Sequence, residues 1–146
     1  MAVKYFGGTL PAAELPSEAD LSLKQKTEAM VTIVDKFVDE LAFSKALQAI
    51  WEVISAGNKY IDDMAPWTLA KDPANSGRLA TVMYTLLESQ RITHCILSAF
   101  LPATAAKALS SLGWNEAVTN EGLIWGGLKD GAKVTKAEAL FPRIED

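Results

Sequence analysis

Residues 58–71 read NKYIDDMAPWTLAK, and the rest of the chain is organised around this stretch. Pro66 disfavours helical geometry at the residue before it, so the spacing predicts the last turns of a long helix that run into a sharp exit. Asn58, Asp62 and Pro66 lie four residues apart and therefore share one helical stripe, which leads to Trp67. The stretch predicts an amide, a carboxylate and a large aromatic ring collected at one helix end.

Such a group of side chains has two interpretations. An aromatic ring with polar neighbours can stack on a planar ligand and satisfy the polar edge of that ligand at the same time. A Trp that follows a helix-ending Pro also commonly plugs the end of a helical bundle, while the polar residues near it face water. From spacing alone the second interpretation is the commoner one, and both stay open.

Long helical patterns lie on both sides of this stretch. Apolar residues at steps of three and four predict one helix from about Leu21 to Leu41 and a second from about Phe43 to Met64. A third is expected from about Leu79 to Phe100, and a fourth begins at Pro102, which suits a first helical turn, and stops at Gly113. Short connections between such helices favour an antiparallel bundle, so the fold class is all-α.

The second predicted helix carries an apolar stripe that is expected to be buried. Gly57 within that stripe is unusual for a helix and indicates close packing against a neighbouring helix. The glycine-rich segment 114–133 cannot form a stable helix and is expected to lie over the bundle as a loop or a short extended piece. The residues expected on the buried stripe are Phe43, Leu47, Ile50, Ile54, Gly57 and Ile61, with Ala46 and Val53 beside them.

The composition is that of one soluble globular domain. The chain has 146 residues, of which 49% are apolar, and a formal net charge of −4. The acidic balance argues against indiscriminate binding to nucleic acid, because phosphate neutralisation supplies most non-specific affinity, so any RNA contact must be local. A single cysteine, Cys95, excludes an intramolecular disulfide. With no signal peptide and no apolar run long enough to cross a membrane, the expected location is the cytoplasm.

The stretch that reads N-x-Y-x-D-x-x-x-P-W-x-L-x-K from Asn58 to Lys71 resembles the signature of the anticodon-binding domain of methionyl-tRNA synthetases. Three further segments agree with that family in the same order: KYFGG at Lys4–Gly8, FLPATA at Phe100–Ala105 and LFPRIE at Leu140–Glu145. The resemblance therefore spans the whole chain. The Pro-Trp and Phe-Pro-Arg-Ile segments are fairly specific, whereas the middle segment also occurs in relatives specific for valine, isoleucine and leucine.

The resemblance implies an architecture for residues 1–146 as a single domain. It implies a helical bundle of the class I synthetase anticodon-binding type, with the C-terminal residues Phe141–Ile144 packed as a strap. A glycine-ended apolar segment at the start indicates a fragment whose first helix lies mostly upstream, together with the catalytic domain. The family uses an Asn and an Arg on that upstream helix, so the fragment is expected to bind its transfer RNA weakly and to discriminate anticodons poorly.

The resemblance also implies the recognition residues. In the family the Trp that matches Trp67 stacks on the first anticodon base, a cytosine, and the residues that match Asn58 and Asp62 line the same site. Basic residues flank the stretch and could reach phosphates without a basic surface overall, although any one of them is commonly just a solvated charge. The full set of expected RNA-binding residues is Trp67, Asn58, Asp62, Pro66, Lys59, Lys71 and Arg78.

Candidate catalytic groups are few. His94 and Cys95 are neighbours on a predicted helix and point about 100° apart, so the imidazole cannot activate the thiol. Asp62 and Asp63 diverge in the same way, and Glu52 is more than two turns from them, so a metal site is not indicated. The class I catalytic signatures, the His-x-Gly-His and Lys-Met-Ser-Lys-Ser types, are absent, and so are the cysteine clusters that hold zinc in many family members.

The function that the resemblance implies is recognition of the tRNA(Met) anticodon loop as a non-catalytic domain of a methionine–tRNA ligase. The second expected partner is the catalytic domain of the same polypeptide, and no membrane is expected to be involved. The chain itself is expected to need no cofactor, because ATP, and zinc where the family has it, belong to the catalytic part. Three alternatives stay open: a domain of a related synthetase for valine, isoleucine or leucine, a helical protein-interaction module that uses the apolar residues of the glycine-rich segment, and a small enzyme that uses His94.

Overall fold

A computed structural model describes residues 1–136 and Leu140, so the expected strap Phe141–Ile144 lies outside the described residues. Short 3₁₀ turns occur at Pro73–Asn75 and Glu121–Leu123. An antiparallel bridge joins Thr9 and Lys133. The helices are α1 Ala2–Phe6, α2 Glu18–Asp39, α3 Phe43–Met64, α4 Pro66–Leu69, α5 Ser76–Leu97 and α6 Pro102–Ser111.

The body of the bundle is formed by α2, α3 and α5, which pack against one another, while α6 packs on α5. Because only three residues connect α2 to α3, the two helices run antiparallel. One core cluster between the three helices contains Met30 and Val34 of α2, Ile50 of α3 and Ile92 of α5. The predicted all-α bundle is confirmed, and α3 begins and ends at the predicted residues.

The buried face of α3 differs from the expected one. Ile50, Ala46 and Val53 are buried as expected, but Phe43 is 49% exposed and Ile54 is 38% exposed, although both were expected in the core. The helix is turned so that the neighbouring positions Ala49 and Tyr60 face α2 and α5. Both sets of positions are apolar, so periodicity alone could not choose between them, and the smaller residues allow the closer helix approach.

Gly57 does not mark close packing, because a Cβ added to it would meet no atom within 4 Å. We therefore expect Gly57→Ala to raise the free energy of unfolding by about 1 kcal/mol, since alanine loses less backbone entropy in a helix. Gly127→Ala is the contrasting control: its new Cβ would lie 2.5 Å from the guanidinium carbon of Arg91, so this change should destabilise. Urea unfolding measures the free energy of unfolding of both variants. If Gly57→Ala is less stable than the unchanged chain, the space beside Gly57 is not open.

A buried ion pair on α5 anchors the glycine-rich segment. The carboxylate of Glu88, which is fully buried, accepts hydrogen bonds from the backbone N–H groups of Gly126 and Gly127 at 2.7 Å and of Leu128 at 3.0 Å. It also accepts from the guanidinium of Arg91 at 2.7 and 3.0 Å. The segment thus lies over the bundle as expected, but what fastens it is a charge pair that the apolar pattern did not predict.

The other side of Arg91 completes the anchor. Its guanidinium donates to the carbonyl oxygens of Gly122 and of Ile124, the latter at 2.8 Å. Its central carbon lies 4.3 Å from the centre of the Trp114 ring, which is cation–π geometry. One residue of α5 therefore holds three points of the segment that follows α6.

Candidate nucleic-acid interface

The exit from α3 is sharp because Ala65 adopts a left-handed conformation, with φ 42° and ψ 61°. That conformation costs an L-residue about 1–2 kcal/mol. The helix closes with a hydrogen bond from the Ala65 N–H to the carbonyl of Ile61 at 3.0 Å, and α4 starts at the next residue. Strained backbone of this kind persists where the surrounding structure holds it, and it is frequent at functional sites.

Pro66 and Trp67 follow the turn directly, but they differ in their exposure to solvent. Pro66 is fully buried at the first position of α4, so it shapes the turn and cannot touch a ligand, which corrects its assignment as a contact residue. Trp67 is 45% exposed, so its side chain is partly open to solvent. Leu69, on the same short helix, packs against the core and holds α4 in place. The expectation that the ring plugs the bundle end does not match this exposure.

The polar residues of the predicted site share this end of the molecule. Asn58 and Asp62 are exposed one turn apart on α3, and Lys59 and Lys71 are exposed on either side of the exit. An amide, a carboxylate and two cations are therefore exposed within the stretch 58–71. Sequence reasoning did not identify Lys26 of α2, which lines a small cavity of about 130 Å³ with Lys59, Tyr60, Asp63 and Met64.

Arg78 does not behave as a free surface cation. Its Nη1 donates to Asp20 Oδ2 at 2.5 Å and its Nη2 donates to Asp20 Oδ1 at 3.0 Å. Asp20 is 2% exposed and also accepts from the hydroxyl of Tyr60 and from the backbone N–H of Ser17, the latter at 2.6 Å. The guanidinium is thus engaged with Asp20, while its side chain remains 29% exposed. The spacing Ser17-x-x-Asp20, typical of a helix capping box, was the signal in the sequence for part of this arrangement.

The charges of this group stabilise one another. Burial alone would raise the pKa of the Asp20 carboxyl, but hydrogen bonds from Arg78, Tyr60 and Ser17 outweigh it and hold the pKa below its ordinary value. Hydrogen bonding to Asp20 raises the pKa of Arg78. Burial and the hydrogen bond to the Asp20 carboxylate raise the pKa of the Tyr60 phenol. Asp20 and Arg78 are therefore a fixed ion pair at neutral pH.

His94 and Cys95, neighbours on α5, have separate surroundings. His94 Nδ1 lies 2.7 Å from the backbone carbonyl of Gln90 on its own helix. Cys95 is buried, and burial raises the pKa of its thiol, which makes it a poor nucleophile. Among residues 1–136 and Leu140 no cluster of three His, Cys, Asp or Glu side chains could hold a metal ion, and no helix there is both long and apolar enough to span a membrane.

The apolar residues of the glycine-rich segment line a groove at the opposite end of α2. Ile124, which is 65% exposed, and Trp125 form one wall of a cavity of about 580 Å³, and Val38 of α2 and Phe100 form another part of it. Glu28 and Asp35 add carboxylates to its lining. An acidic lining of this kind would repel phosphates, so this groove is not a second RNA-binding surface.

Comparison with known proteins points to one family. A family model described as the anticodon binding domain of methionyl tRNA ligase matches residues 10–146. The methionine–tRNA ligase of Caldanaerobacter subterraneus subsp. tengcongensis is 43% identical over 99% of the chain, and that of Bacillus subtilis is 42% identical over 99%. The chain spans 23% and 22% of the length of these two relatives.

A solved structure shows the same fold. The crystal structure of the free methionyl-tRNA synthetase of Mycobacterium tuberculosis matches with a TM-score of 0.92 at 27% sequence identity. The match covers 100% of this chain and 30% of that one. The similarity to the synthetases is therefore one of sequence and of three-dimensional structure.

Proposed function

The chain belongs to the anticodon-binding domains of the methionyl-tRNA ligases, and from this we propose that it binds the anticodon loop of tRNA(Met). Its relatives are enzymes named methionine–tRNA ligase, of which it matches only a part. In this proposal the parent polypeptide joins methionine to the transfer RNA with ATP. The domain contributes recognition and no catalytic group, and it works in the cytoplasm.

The observation that carries the proposal is the exposed Trp67 ring beyond the turn at Ala65. Stacking of an unpaired base on an aromatic ring contributes about 1–3 kcal/mol. Such bases are recognised in RNA when they are splayed out of the loop and stacked, with their edges open to hydrogen bonds. A ring fixed at the end of a packed helix supplies that platform without having to be ordered by the ligand.

The neighbouring polar groups suit cytosine in particular. The exocyclic amine of cytosine is a hydrogen-bond donor, and a carboxylate such as that of Asp62 accepts from it. The NH2 group of the Asn58 amide carries two donors, so it can donate to the carbonyl oxygen and the ring nitrogen of the base, which are both acceptors. Uracil carries a carbonyl in place of the amine and would face the Asp62 carboxylate with another acceptor. The proposed site therefore selects cytosine over uracil at the first anticodon position.

Electrostatic contacts with the backbone are expected to be few. Lys59 and Lys71 flank the exit, while the chain as a whole carries a net charge of −4. With about two phosphates neutralised, the logarithm of the binding constant should fall with the logarithm of salt concentration with a slope of about −1.4. A much steeper slope would indicate a basic surface that this protein does not present.

The test is a titration of the 146-residue chain with an anticodon stem-loop RNA that carries the methionine anticodon. We expect quenching of Trp fluorescence on binding, and weaker binding by a stem-loop whose first anticodon base is uridine. A hairpin of the same stem with an unrelated loop controls for backbone affinity. Equal affinity for all three RNAs would reject anticodon recognition.

A further inference from the structure

The end of α3 rests on a polar cluster of Asp20, Tyr60 and Arg78, where the first turn of α2, the last turns of α3 and the first turn of α5 meet. Asp20 is 2% exposed, Tyr60 is 5% exposed and the Arg78 side chain is 29% exposed. Each of the three helices contributes one side chain, and Tyr60 and Arg78 both donate hydrogen bonds to the Asp20 carboxylate. The cluster lies directly behind the residues that the proposed function assigns to the base.

Tyr60 fixes the rotation of α3 about its own axis. In a helix, residues two positions apart point about 200° apart, so Asn58 and Asp62 lie on the opposite side from Tyr60. The burial pattern agrees, because Tyr60 is buried while Asn58 and Asp62 are exposed. The Tyr60 hydroxyl donates to Asp20 Oδ1, which ties this inward face to α2. As long as that bond holds, the two polar groups of the site are directed outward.

Arg78 fixes the exit turn. Its two N–H donors grip both oxygens of Asp20, and its Nη2 also lies 3.1 Å from Ser17 Oγ and 3.0 Å from the sulfur of Met64. Met64 is the last residue of α3 and stands directly before the left-handed Ala65. Two parallel hydrogen bonds to one carboxylate fix the orientation of the planar Arg78 guanidinium, whereas the ammonium group of a lysine cannot form such a paired contact. Arg78 thus supports the strained turn that presents Trp67.

We propose that Arg78 and Tyr60 are positioning residues: through their shared contact with Asp20 they set the placement of Trp67 relative to Asn58 and Asp62, and so the discrimination of the first anticodon base. This inference rests on the proposed function. In this proposal Arg78 orients the base-binding residues and does not contact a phosphate.

The test compares Arg78→Lys and Tyr60→Phe with the unchanged chain in binding to the cytidine and uridine stem-loops. Both variants keep most of the side-chain volume, and Arg78→Lys keeps the charge. We expect the cytidine affinity to fall about 10-fold, as is typical when a supporting partner of a binding residue is lost, and the preference over uridine to shrink. The salt slope should stay unchanged, because no phosphate contact is removed.

Leu109→Ala is the matched control, since Leu109 is buried on α6, which packs on α5 away from the end of α3. It should lower thermal stability while leaving base preference as it was. If Arg78→Lys keeps full preference, the inference is wrong. If Arg78→Ala instead makes the salt slope shallower by about 0.7, then Arg78 contacts a phosphate and the inference is also wrong.

The positioning can be measured without RNA as well, which separates it from the proposed function. The indole N–H resonance of Trp67, identified by its loss in Trp67→Phe, should shift in Arg78→Lys and in Tyr60→Phe and stay in place in Leu109→Ala. If the unchanged chain shows no base preference but the Trp67 resonance shifts in both cluster variants, the proposed function is rejected and the positioning role is kept. Unchanged resonances in both cluster variants would reject the positioning role itself.

Discussion

Glu88→Ala is expected to lower the free energy of unfolding by about 3–5 kcal/mol, because it leaves the Arg91 guanidinium buried without its counter-charge. The same change removes the acceptor of three backbone N–H groups, those of Gly126, Gly127 and Leu128, each within 3.0 Å of the carboxylate. Buried donors without partners add to the cost. Urea unfolding followed by circular dichroism measures the loss, which is a large fraction of the stability of an ordinary domain.

Two companion variants show whether charge or anchoring dominates. Glu88→Gln retains an oxygen acceptor, so its free energy of unfolding should lie between those of the unchanged chain and Glu88→Ala. Glu121→Ala removes a carboxylate from an exposed position of the same segment and should change stability by less than about 0.5 kcal/mol. If the free energy of unfolding of Glu88→Ala lies within about 1 kcal/mol of that of the unchanged protein, the Glu88–Arg91 ion pair does not hold the glycine-rich segment.

Trp67→Ala is expected to weaken binding of the methionine anticodon stem-loop by about 5- to 150-fold, which corresponds to the loss of one stacking contact. The salt slope should be unaffected, since the indole ring carries no charge. Trp67→Phe keeps an aromatic face and should retain part of the affinity. Helicity should be preserved in both variants, because the ring is 45% exposed and contributes little to the core.

Trp51 provides the matched control for this experiment. It is 51% exposed on α3, so Trp51→Ala removes an indole of similar exposure from a position about 10 Å further back along the helix than Asn58. We expect Trp51→Ala to bind the stem-loop nearly as well as the unchanged chain. If Trp67→Ala binds the stem-loop as well as the unchanged chain does, the base does not stack on Trp67. The same conclusion follows if Trp67→Ala and Trp51→Ala lower the affinity equally.

Much of the fold could be predicted from the sequence because helix limits are set by local chemistry. The limits of α3 and the first residue of α6 were predicted correctly from apolar spacing and from the proline positions. Gly7 ends α1 with φ 61°, a conformation that glycine adopts without penalty, as the start of the chain indicated. The sharp exit at Pro66 follows in the same way from steric conflict between neighbouring residues.

Side-chain partners far apart in the chain could not be predicted in this way. Arg78 reads as a surface cation beside a loop, yet its partner Asp20 is 58 residues away. Pro66 reads as a neighbour of the ligand, yet it is buried at the first position of α4. The signature assigns a role to each residue but does not say which of them keep their polar atoms free.

The sequence by itself determined the limits of α3, the first residue of α6 and the aromatic ring that follows a forced exit from α3, and its motifs indicated the family. The helix limits follow from contacts within one or two helical turns, whereas α2 and α5 each begin and end two to three residues before the expected positions. The tertiary structure alone decided which apolar positions of α3 are buried, that Arg78 supports the site from behind, and that Glu88 and Arg91 fasten the glycine-rich segment. Each of these depends on packing and on charge pairing between helices, which local spacing leaves undetermined because several arrangements bury similar apolar area.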